Sequence, residues 1–397
     1  MKRNTNNIRT FFCREGTYYS LVIAGVLFIA LLKQVNPMML FASLLVCPLF
    51  IGLWLGRQTL KQLTVKRIAP SRIHAGDTFV TQLEVSNTGR KISSWGVVAE
   101  DTIKAIASGS EREQTEYKPA VYLDYIGASE NQRKSYVGRL PVRGRYCFKK
   151  VTLSTRFPCG FFRSVTELEA ESEMIVLPKL GTLTDGWITR QHEANETILH
   201  RRRRSSRMTG EFFGVREWRR GDTKRGIHWR SSARHNQMMV RQYEQYQNRD
   251  AAILLDLFHV GELLPRDEEN MELAISFAAT LTGDVIRRGG YNVTFGTFQD
   301  KYEIYRGASN AIFLERILER LAVVKRTQTD CLAELMTETL SNTDPNADLI
   351  LITSLPIDLN GHGRLANLKN DPRLRTVMQR LRVVVTSDAE FDKIFVV

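Results

Sequence analysis

Two long uncharged stretches near the N-terminus constrain this chain more than any other feature. Residues 16–32 and residues 37–56 contain no Asp, Glu, Lys or Arg. A helix that crosses a bilayer needs about 20 apolar residues, with about 17 as the lower limit. The second stretch meets this length, and the first lies at its lower end, where Lys33 can extend its charge to the interface. The sequence therefore predicts a two-helix transmembrane hairpin within residues 1–59 and a membrane-anchored protein.

The basic residues around this hairpin predict its orientation. Four precede the first stretch and five follow the second: Lys2, Arg3, Arg9 and Arg14, then Arg57, Lys61, Lys66, Arg67 and Arg72. The connection between the stretches carries only Lys33. Because positive charge favours the cytoplasmic side, we expect a multi-pass protein of the cytoplasmic (inner) membrane whose N-terminus and soluble domains face the cytoplasm. A cleaved signal peptide is the alternative, but no small-x-small cleavage site precedes the second stretch.

The cysteine usage predicts a reducing compartment. The five cysteines are Cys13, Cys47, Cys147, Cys159 and Cys331. They form no CxxC pair and no spacing typical of a disulfide framework. Because cytoplasmic proteins rarely hold disulfides, this usage agrees with soluble domains on the cytoplasmic side.

Residues 60–186 show the pattern of a small antiparallel β-sandwich-like domain. Residues 78–86 alternate apolar and polar side chains with a period of two, and residues 87–90 have the composition of a turn. Shorter strands are predicted at residues 95–98, 134–140, 145–154 and 174–177. A polar insertion interrupts them around residues 108–118. Short strands separated by glycine and proline are typical of a sandwich.

Residues 251–397 alternate between strand and helix patterns. Residues 251–257 form a continuous apolar run, as expected for a strand that is buried on both faces. A helix is predicted over residues 267–288, where acidic residues open the first turn and arginines close the last. Further strands are predicted at residues 291–298, 348–354 and 382–386, and a further helix at residues 310–324. This alternation predicts a Rossmann-like α/β domain, a parallel sheet with helices on both sides.

The linker between these domains, residues 187–250, is strongly basic. It holds 15 Lys and Arg residues against 7 Asp and Glu residues, so it supplies +8 of the net charge of +13. A solvated surface is the simplest interpretation, but such a segment can also bind anionic lipid, nucleic acid or an acidic protein. Anionic lipid is the expected contact of its arginine run, which comprises Arg201, Arg202, Arg203, Arg204 and Arg207. Nucleic-acid binding is the alternative, although no helix-turn-helix or zinc-finger pattern accompanies the run.

The same linker contains the most informative motif of the chain, over residues 210–244. Gly221-Asp222 predicts a turn, and we expect Ile227 and Trp229 to point the same way on an extended segment. Planar guanidinium groups can bind carboxylates through two parallel hydrogen bonds. The candidates for such pairs are Arg216, Arg225, Arg234 and Arg241, with Glu211, Glu217 and Asp222 as partners. Two interpretations stay open: a network that fixes the linker, and a binding surface for a partner protein.

This motif resembles the bacterial domain-of-unknown-function family number fifty-eight. The matching residues are Glu211-Phe212, Arg216-Glu217, Gly221-Asp222, Arg225, Ile227, Trp229, Ala233-Arg234 and Val240-Arg241. A second matching patch comprises Arg143-Gly144-Arg145-Tyr146, Thr155-Arg156, Pro158, Gly160 and Phe162-Arg163. With the hairpin, the resemblance covers most of the chain. His228 departs from it because the family more often has an acid there, and Phe157 because Asp often precedes the proline.

The resemblance implies two membrane helices, a β-rich region and a domain similar to the von Willebrand factor type A fold. It also implies association with a MoxR-type AAA+ ATPase and with a transglutaminase-like membrane protein. We therefore expect a membrane-anchored cytoplasmic adaptor or scaffold that binds a protein partner, is not an enzyme and needs no cofactor. Its expected interface residues are Arg216, Glu217, Gly221, Asp222, Arg225, Trp229 and Arg234.

Asp256 is the one candidate metal ligand. The type A fold can bind a divalent cation through Asp-x-Ser-x-Ser after its first strand, and both serine positions are apolar here, as Phe258 and Val260. Thr353 or Ser354 could still supply a hydroxyl, but we expect Asp256 to accept backbone hydrogen bonds. An enzyme of envelope biogenesis, such as a membrane-associated hydrolase, is the alternative function. Anionic lipid or nucleic-acid binding through the basic linker is the third.

Overall fold

The chain forms two compact units, and each is described by itself. The computed structural model describes residues 8–33, 36–108, 116–184, 211–220, 222–244, 249–289, 291–344, 347–357, 364, 381–388 and 390–397. The first unit comprises Met1–Lys179 with Glu319–Val324, and the second comprises Leu180–Leu318 with Lys325–Val397.

Two apolar helices lead the first unit, α1 (Arg14–Lys33) and α2 (Asn36–Lys61). Both are long and apolar enough to cross a membrane, judged by length and composition. Large apolar side chains such as Leu21, Leu40 and Phe50 are mostly exposed on them. The Tyr19 hydroxyl of α1 donates a hydrogen bond of 2.9 Å to the Leu45 carbonyl of α2. The two helices therefore pack on each other while most of their apolar surface stays uncovered by protein.

The rest of the first unit consists of two β-sheets. Their strands are β1 (Arg9–Phe12), β2 (Leu63–Ile68), β3 (Arg72–His74), β4 (Thr78–Asn87), β5 (Ser94–Ser108), β6 (Ala120–Ile126), β7 (Asn131–Arg139), β8 (Gly144–Thr155) and β9 (Phe162–Leu177). One sheet has the order β1-β9-β8-β5-β6 with β3 beside β9, and the other has the order β2-β4-β7. All pairs are antiparallel except β3 with β9. Leu83 of the smaller sheet and Phe148 of the larger one belong to a single buried core, as in a sandwich.

The observed strands extend and supplement the predicted ones. Strand β4 alternates exposed and buried residues along its first half, as its period of two predicts. Strand β1 was not predicted, and it makes the N-terminal segment before α1 part of the larger sheet, where Arg9 lies opposite Val165. Four residues are too few to show a period, so sequence alone could not separate β1 from the hairpin. Residues 109–115 of the predicted polar insertion lie outside the described residues.

A buried ion pair connects the two sheets. Asp101 of β5 accepts hydrogen bonds from Arg67 Nε of β2 at 2.8 Å and from the Tyr136 hydroxyl of β7 at 2.8 Å. Both members of the pair are almost fully buried, and the Arg67 guanidinium stacks on the ring of Phe148. Burial, reinforced by the negative charge of Asp101, raises the pKa of Tyr136 above its ordinary value. The phenol therefore stays protonated and continues to donate its hydrogen bond.

The second unit contains nine strands and four helices among its described residues. The strands are β10 (Thr182–Leu183), β11 (Glu211–Glu217), β12 (Met239–Glu244), β13 (Arg249–Asp256), β14 (Tyr291–Phe298), β15 (Tyr302–Ala308), β16 (Asp348–Thr353), β17 (Arg382–Val385) and β18 (Phe395–Val396). The helices are α3 (Trp229–His235), α4 (Pro265–Arg288), α5 (Ala311–Val323), whose residues from Glu319 onward are assigned to the first unit, and α6 (Leu332–Ser341). Five strands form the central sheet in the order β15-β14-β13-β16-β17.

This central sheet is mixed, which corrects the prediction of a parallel sheet. Strands β14, β13, β16 and β17 are parallel to their neighbours in that series, whereas β15 pairs antiparallel with β14. The predicted pattern missed β15 because it is a partly exposed edge strand, joined to β14 by a short turn. Leu254 packs with α6 in one core cluster, and Ile253, which points to the opposite face, is also fully buried. Both faces of the sheet are therefore covered.

Candidate functional site

The motif over residues 211–244 folds into a two-stranded sheet with a helical excursion. Strands β11 and β12 pair antiparallel, with Arg216 opposite Val240. Between them the chain makes a turn, a 3-10 helix (Lys224–Gly226) and helix α3. Ile227 forms an isolated bridge to Val240 and is buried. The predicted linker is thus a folded element in its described part, in the same compact unit as the central sheet.

Arg216 and Asp222 close the turn of this motif through paired hydrogen bonds. Arg216 Nη1 donates to Asp222 Oδ2 at 2.8 Å, and Nη2 donates to Oδ1 at 2.7 Å. The backbone N–H of Arg219 donates to the same carboxylate at 2.8 Å. The hydrogen bonds from Arg216 and then from Arg219 hold the pKa of Asp222 below its ordinary value. The pair is partly exposed, so its contribution is geometric, fixing the turn, more than energetic.

The predicted arginine–carboxylate network is smaller than expected. Among the described residues it consists of the Arg216–Asp222 pair, and Arg225 and Arg234 make no ion pair there. Arg225 lies in the 3-10 helix and Arg234 in the last turn of α3, and both side chains are exposed. The Glu211 side chain and the whole of Gly221 lie outside the described residues. Because the segment that was expected to be extended is helical, Arg225 and Arg234 do not pair with Glu217, the described carboxylate of β11.

Helix α3 also places Trp229 differently from the prediction. His228 caps the helix N-terminus, where its Nδ1 accepts a hydrogen bond from the Ser231 N–H at 3.2 Å. A cap side chain accepts a backbone N–H at the helix N-terminus, and the neutral imidazole of His228 does so here. Because the helix begins at once, Ile227 turns inward while Trp229 turns outward. The expectation that these two side chains point the same way was wrong.

An exposed patch therefore covers the helical side of the motif. Trp229 is 69% exposed and Met238 is 50% exposed. Three cations that lie nearby in the sequence, Arg225, Arg230 and Arg234, are also exposed. A large aromatic side chain with arginines is the composition of a protein-binding hot spot. We refer to these five residues as the motif patch.

A second constellation lies where two parallel strands of the central sheet end. Asp256 ends β13 and is paired with Thr353, which ends β16. Thr353 Oγ1 donates to Asp256 Oδ2 at 3.2 Å, and the Phe258 N–H donates to Oδ1 at 3.2 Å. The chain leaves β13 for β14 on one side and later returns to β16 on the other. Asp256 thus sits at the switch point of the sheet, where open α/β folds place their ligand sites.

Arg364 supplies the positive charge at this switch point. Its Nη1 donates to Asp256 Oδ2 at 2.7 Å, and its Nε donates to Asp330 Oδ2 at 2.8 Å. The guanidinium also lies over the ring of Phe258, 4.4 Å from the centroid. Burial works to lower the pKa of Arg364, but the hydrogen bonds that Arg364 donates to Asp330 and Asp256 outweigh it and raise that pKa. One permanently charged side chain thereby makes ion pairs with two carboxylates.

This arrangement does not fit a divalent cation. Such ions prefer several oxygen ligands, and both carboxylates are already engaged by Arg364, while the two predicted serine positions hold Phe258 and Val260. No group of three or more His, Cys, Asp and Glu side chains is placed to hold a metal within the described part of the chain. Sequence reasoning identified Asp256 and Thr353 but missed Asp330 and Arg364. No local pattern marks Arg364, which is 108 residues from Asp256 along the chain.

The second patch of the family resemblance lies in the first unit. Arg143 is 2% exposed, and it donates to the carbonyls of Leu321 at 2.9 Å and Val324 at 2.7 Å, within the same compact unit. Residues 155–163 of the patch comprise the turn between β8 and β9 and the strand ends that flank it. This turn contacts α1 through the stacked rings of Tyr19 and Phe161, whose centroids are 4.3 Å apart. Arg143 and Phe161 therefore make structural contacts.

Comparison with solved structures finds only partial similarity. The CARDB domain of the PF1109 protein from Pyrococcus furiosus, crystallised with di-metal ions, is 15% identical, and the match covers 29% of this chain and 91% of that one, with a TM-score of 0.19. The sporulation control protein Spo0M from Bacillus subtilis is 12% identical over 40% of this chain and 58% of that one, with a TM-score of 0.19. TM-scores this low do not identify a shared fold. No curated protein matches the sequence.

The motif and the central sheet define an α/β protein whose folded basic motif lies in the unit of its mixed sheet. Residues 214–358 match the family described as "Protein of unknown function DUF58". The matched segment begins within β11 and ends after β16, so it includes the motif patch together with Asp256, Asp330 and Thr353. Over this segment the chain is similar to the DUF58 family, which agrees with the resemblance in its motif residues.

Proposed function

We propose that this protein is a membrane-anchored cytoplasmic adaptor that binds a protein partner through the motif patch and is not itself an enzyme. The observation that carries the proposal is the 69% exposure of Trp229. A tryptophan so exposed contributes little to the fold of a domain, whereas it is among the residues that contribute most to protein interfaces. The position of Trp229 is determined by contacts within the motif, because the His228 side chain caps the N-terminus of the helix that carries Trp229.

The exposed surface of the hairpin supports membrane anchoring. A helix in the core of a soluble protein buries its apolar face, whereas only 17% of the most apolar window of α1 and 11% of that of α2 is buried. Strand β1 precedes α1 and pairs with β9, and β2 follows α2, so the chain enters the hairpin from one sheet of the sandwich and leaves it into the other. This supports a multi-pass hairpin with both ends on one side, which the flanking basic residues assign to the cytoplasm.

The central sheet supports the more specific expectation of a domain similar to the von Willebrand factor type A fold. Its parallel core, its antiparallel edge strand and the acid at its switch point agree with such a domain. Arg364 holds Asp256 and Asp330 in an ion pair, which suits a binding domain that works without a metal. The arginine run at residues 201–207, for which anionic lipid contact is proposed, lies outside the described residues.

The partner proposed from the family resemblance is a MoxR-type AAA+ ATPase, with a transglutaminase-like membrane protein as a second associate. The motif patch carries three arginines and a tryptophan, so the complementary surface on the ATPase should be acidic with an apolar recess. Arg216, Glu217 and Asp222 would hold the patch in shape, and Arg225, Trp229 and Arg234 would make the contacts.

Affinity purification of the tagged full-length protein in mild detergent tests this function. We expect an AAA+ ATPase to co-purify with the wild type and with the matched control Ile312→Ala, which removes an equally exposed apolar side chain elsewhere in the unit. The Arg225→Ala/Trp229→Ala variant should lose the ATPase while its melting temperature stays unchanged. Equal recovery with this variant, or no ATPase with well-folded wild type, would contradict the adaptor function.

A further inference from the structure

A groove of roughly 510 Å³ lies in the first unit, between the outer face of the larger sheet and the turn at residues 155–163. Arg156 and Arg163 line it together with the aromatic side chains of Tyr122 and Phe157. Arg163 Nη2 makes a long hydrogen bond of 3.5 Å to Ser154 Oγ. Within the described part of the chain, neither arginine has a carboxylate partner. The groove therefore presents two uncompensated cations.

The turn that forms one wall of this groove also contacts the hairpin, just before α1 and along α2. The N–H of Cys13, just before α1, donates to the Phe161 carbonyl at 2.9 Å. On α2, a Cβ placed on Gly56 would lie 3.4 Å from the Phe157 carbonyl oxygen, and one on Gly52 would lie 3.9 Å from Cδ of Pro158. The groove is thus adjacent to the last turns of the apolar part of α2.

The position of charge along α2 fixes the depth of the groove relative to a bilayer. Gly56 is the last residue of the uncharged stretch, and Arg57 is the first charged residue after it. Because Phe157 lies next to the helix at Gly56, the groove is level with the boundary between the uncharged part of α2 and its first charged residue. That is the level at which the phosphates of a lipid bilayer lie.

Exposed aromatic side chains beside the groove agree with this depth. Trp95 is 45% exposed, Tyr122 is 56% exposed and Tyr125 is 39% exposed. The rings of Trp95 and Tyr125 are in contact, with centroids 4.4 Å apart, and Trp95 also stacks on Phe157. Tryptophan and tyrosine are enriched at the membrane–water interface because one part of each ring system is apolar and another is polar.

From these observations we infer that the groove binds the phosphate of an anionic phospholipid, with Arg156 and Arg163 as its ligands. Guanidinium groups are suited to phosphate because their planar donors match two of its oxygens. The acyl chains of the lipid would run along the exposed apolar surface of α2, where Phe50 and Trp54 project. Because the hairpin is placed in a membrane by the proposed function, the lipid assignment depends on that anchoring but not on the protein partner.

Native mass spectrometry of the full-length protein in a neutral detergent tests the assignment. Phosphatidylglycerol is added in one arm, zwitterionic phosphatidylcholine in the second and inorganic phosphate in the third. We expect the protein to retain one phosphatidylglycerol molecule, to bind little phosphatidylcholine and to bind no inorganic phosphate. In the Arg156→Gln/Arg163→Gln variant, affinity for phosphatidylglycerol should fall about thirtyfold, given the typical contribution of two basic residues near anionic lipid.

Two further variants make the result interpretable. Arg133→Gln/Lys134→Gln removes the same charge from exposed positions on the smaller sheet and should leave lipid binding unchanged. The Arg156→Lys/Arg163→Lys variant keeps both charges, so it should retain part of the affinity for phosphatidylglycerol. Its folding serves as the control for substitution at these two positions. The lipid assignment would be overturned if the protein bound both lipids equally or if the glutamine variant bound phosphatidylglycerol as tightly as the wild type. It would also be overturned if inorganic phosphate alone bound as tightly as phosphatidylglycerol. The motif patch is untouched, so loss of lipid binding with ATPase capture intact separates this site from the adaptor function.

Discussion

Arg364 shows how one side chain can determine the chemistry of a sheet edge. It pairs with Asp256 at 2.7 Å and with Asp330 at 2.8 Å, and its guanidinium is held between these carboxylates and the ring of Phe258. The edge of an α/β sheet at its switch point usually holds a ligand. Here the guanidinium of Arg364 engages both carboxylates at this edge, so their contacts lie within the protein itself.

Removing one member of this buried ion pair should be costly. Asp256→Asn leaves Arg364 with one carboxylate in a largely buried environment, and breaking such a pair typically costs about 3 kcal/mol. For a unit of this size, that corresponds to a melting temperature lower by about 6–12 °C. Glu262→Gln, which changes an exposed acid in the loop that follows β13, serves as the control. A loss for Asp256→Asn no larger than that of the control would show that the pair does not stabilise the unit.

A second prediction concerns how the melting temperature depends on pH, and it follows from the pKa of Asp330. Burial works to raise this pKa, but the hydrogen bonds from Arg364 hold it below its ordinary value. Because the folded value lies below the unfolded value of about 3.9, the stabilisation is present above that pH and is lost as pH falls through the folded value. Wild type should therefore melt above Asp330→Asn at about pH 7, with the difference shrinking below about pH 4. A difference independent of pH would contradict this coupling.

The elements with a clear period are those that sequence predicted well. The alternation of residues 78–86 identified β4, and the helical stripe through Met271 and Ala278 identified α4. Both signals arise because one face of the element is buried. Strands β1 and β15 were missed, since one has four residues and the other is a partly exposed edge. Helix α3 was missed because its seven residues bury no apolar stripe; only the His228 cap could have indicated it.

The base of the hairpin is predicted to depend on glycine at one position of α1. A Cβ on Gly16 would lie 2.6 Å from the Phe161 carbonyl oxygen, which is closer than real side chains approach, whereas Gly25 has no atom within 4 Å of such a Cβ. Gly16→Ala should therefore displace the turn and destabilise the first unit by about 1–3 kcal/mol. Gly25→Ala in the same helix should leave the melting temperature in detergent unchanged or slightly higher. Equal effects of the two substitutions would argue against a close approach of α1 to the Phe161 carbonyl at Gly16.

At the scale of the whole molecule, the proposed function predicts that all soluble parts lie on one side of a membrane. Cys159 lies in the turn at the base of the hairpin and is exposed, whereas Asn36 begins α2 at the far end. In single-cysteine variants of intact cells, a membrane-impermeant maleimide should label Asn36→Cys directly and Cys159 only after permeabilisation. Labelling of Cys159 from outside would reverse the orientation, and labelling of both would argue against a spanning hairpin.

How much of the molecule could be derived from sequence depends on the distance between interacting residues. The two apolar helices and the strands with a clear period are local in sequence, and composition and period predict them. The buried pair of Arg67 with Asp101 joins residues 34 positions apart, and the Arg364 site joins residues 108 apart. Neither pairing leaves a periodic signal, because it is determined by packing between elements.

Photo-crosslinking from position 229 in living cells tests the central claim most directly. A photoreactive amino acid replaces Trp229 in the full-length protein, and a second variant carries it at the equally exposed Ile312. We predict that position 229 yields a cross-linked AAA+ ATPase in the membrane fraction and that position 312 does not. If position 229 yields no adduct, or if both positions yield the same adducts, the motif patch is not the docking surface of an anchored adaptor.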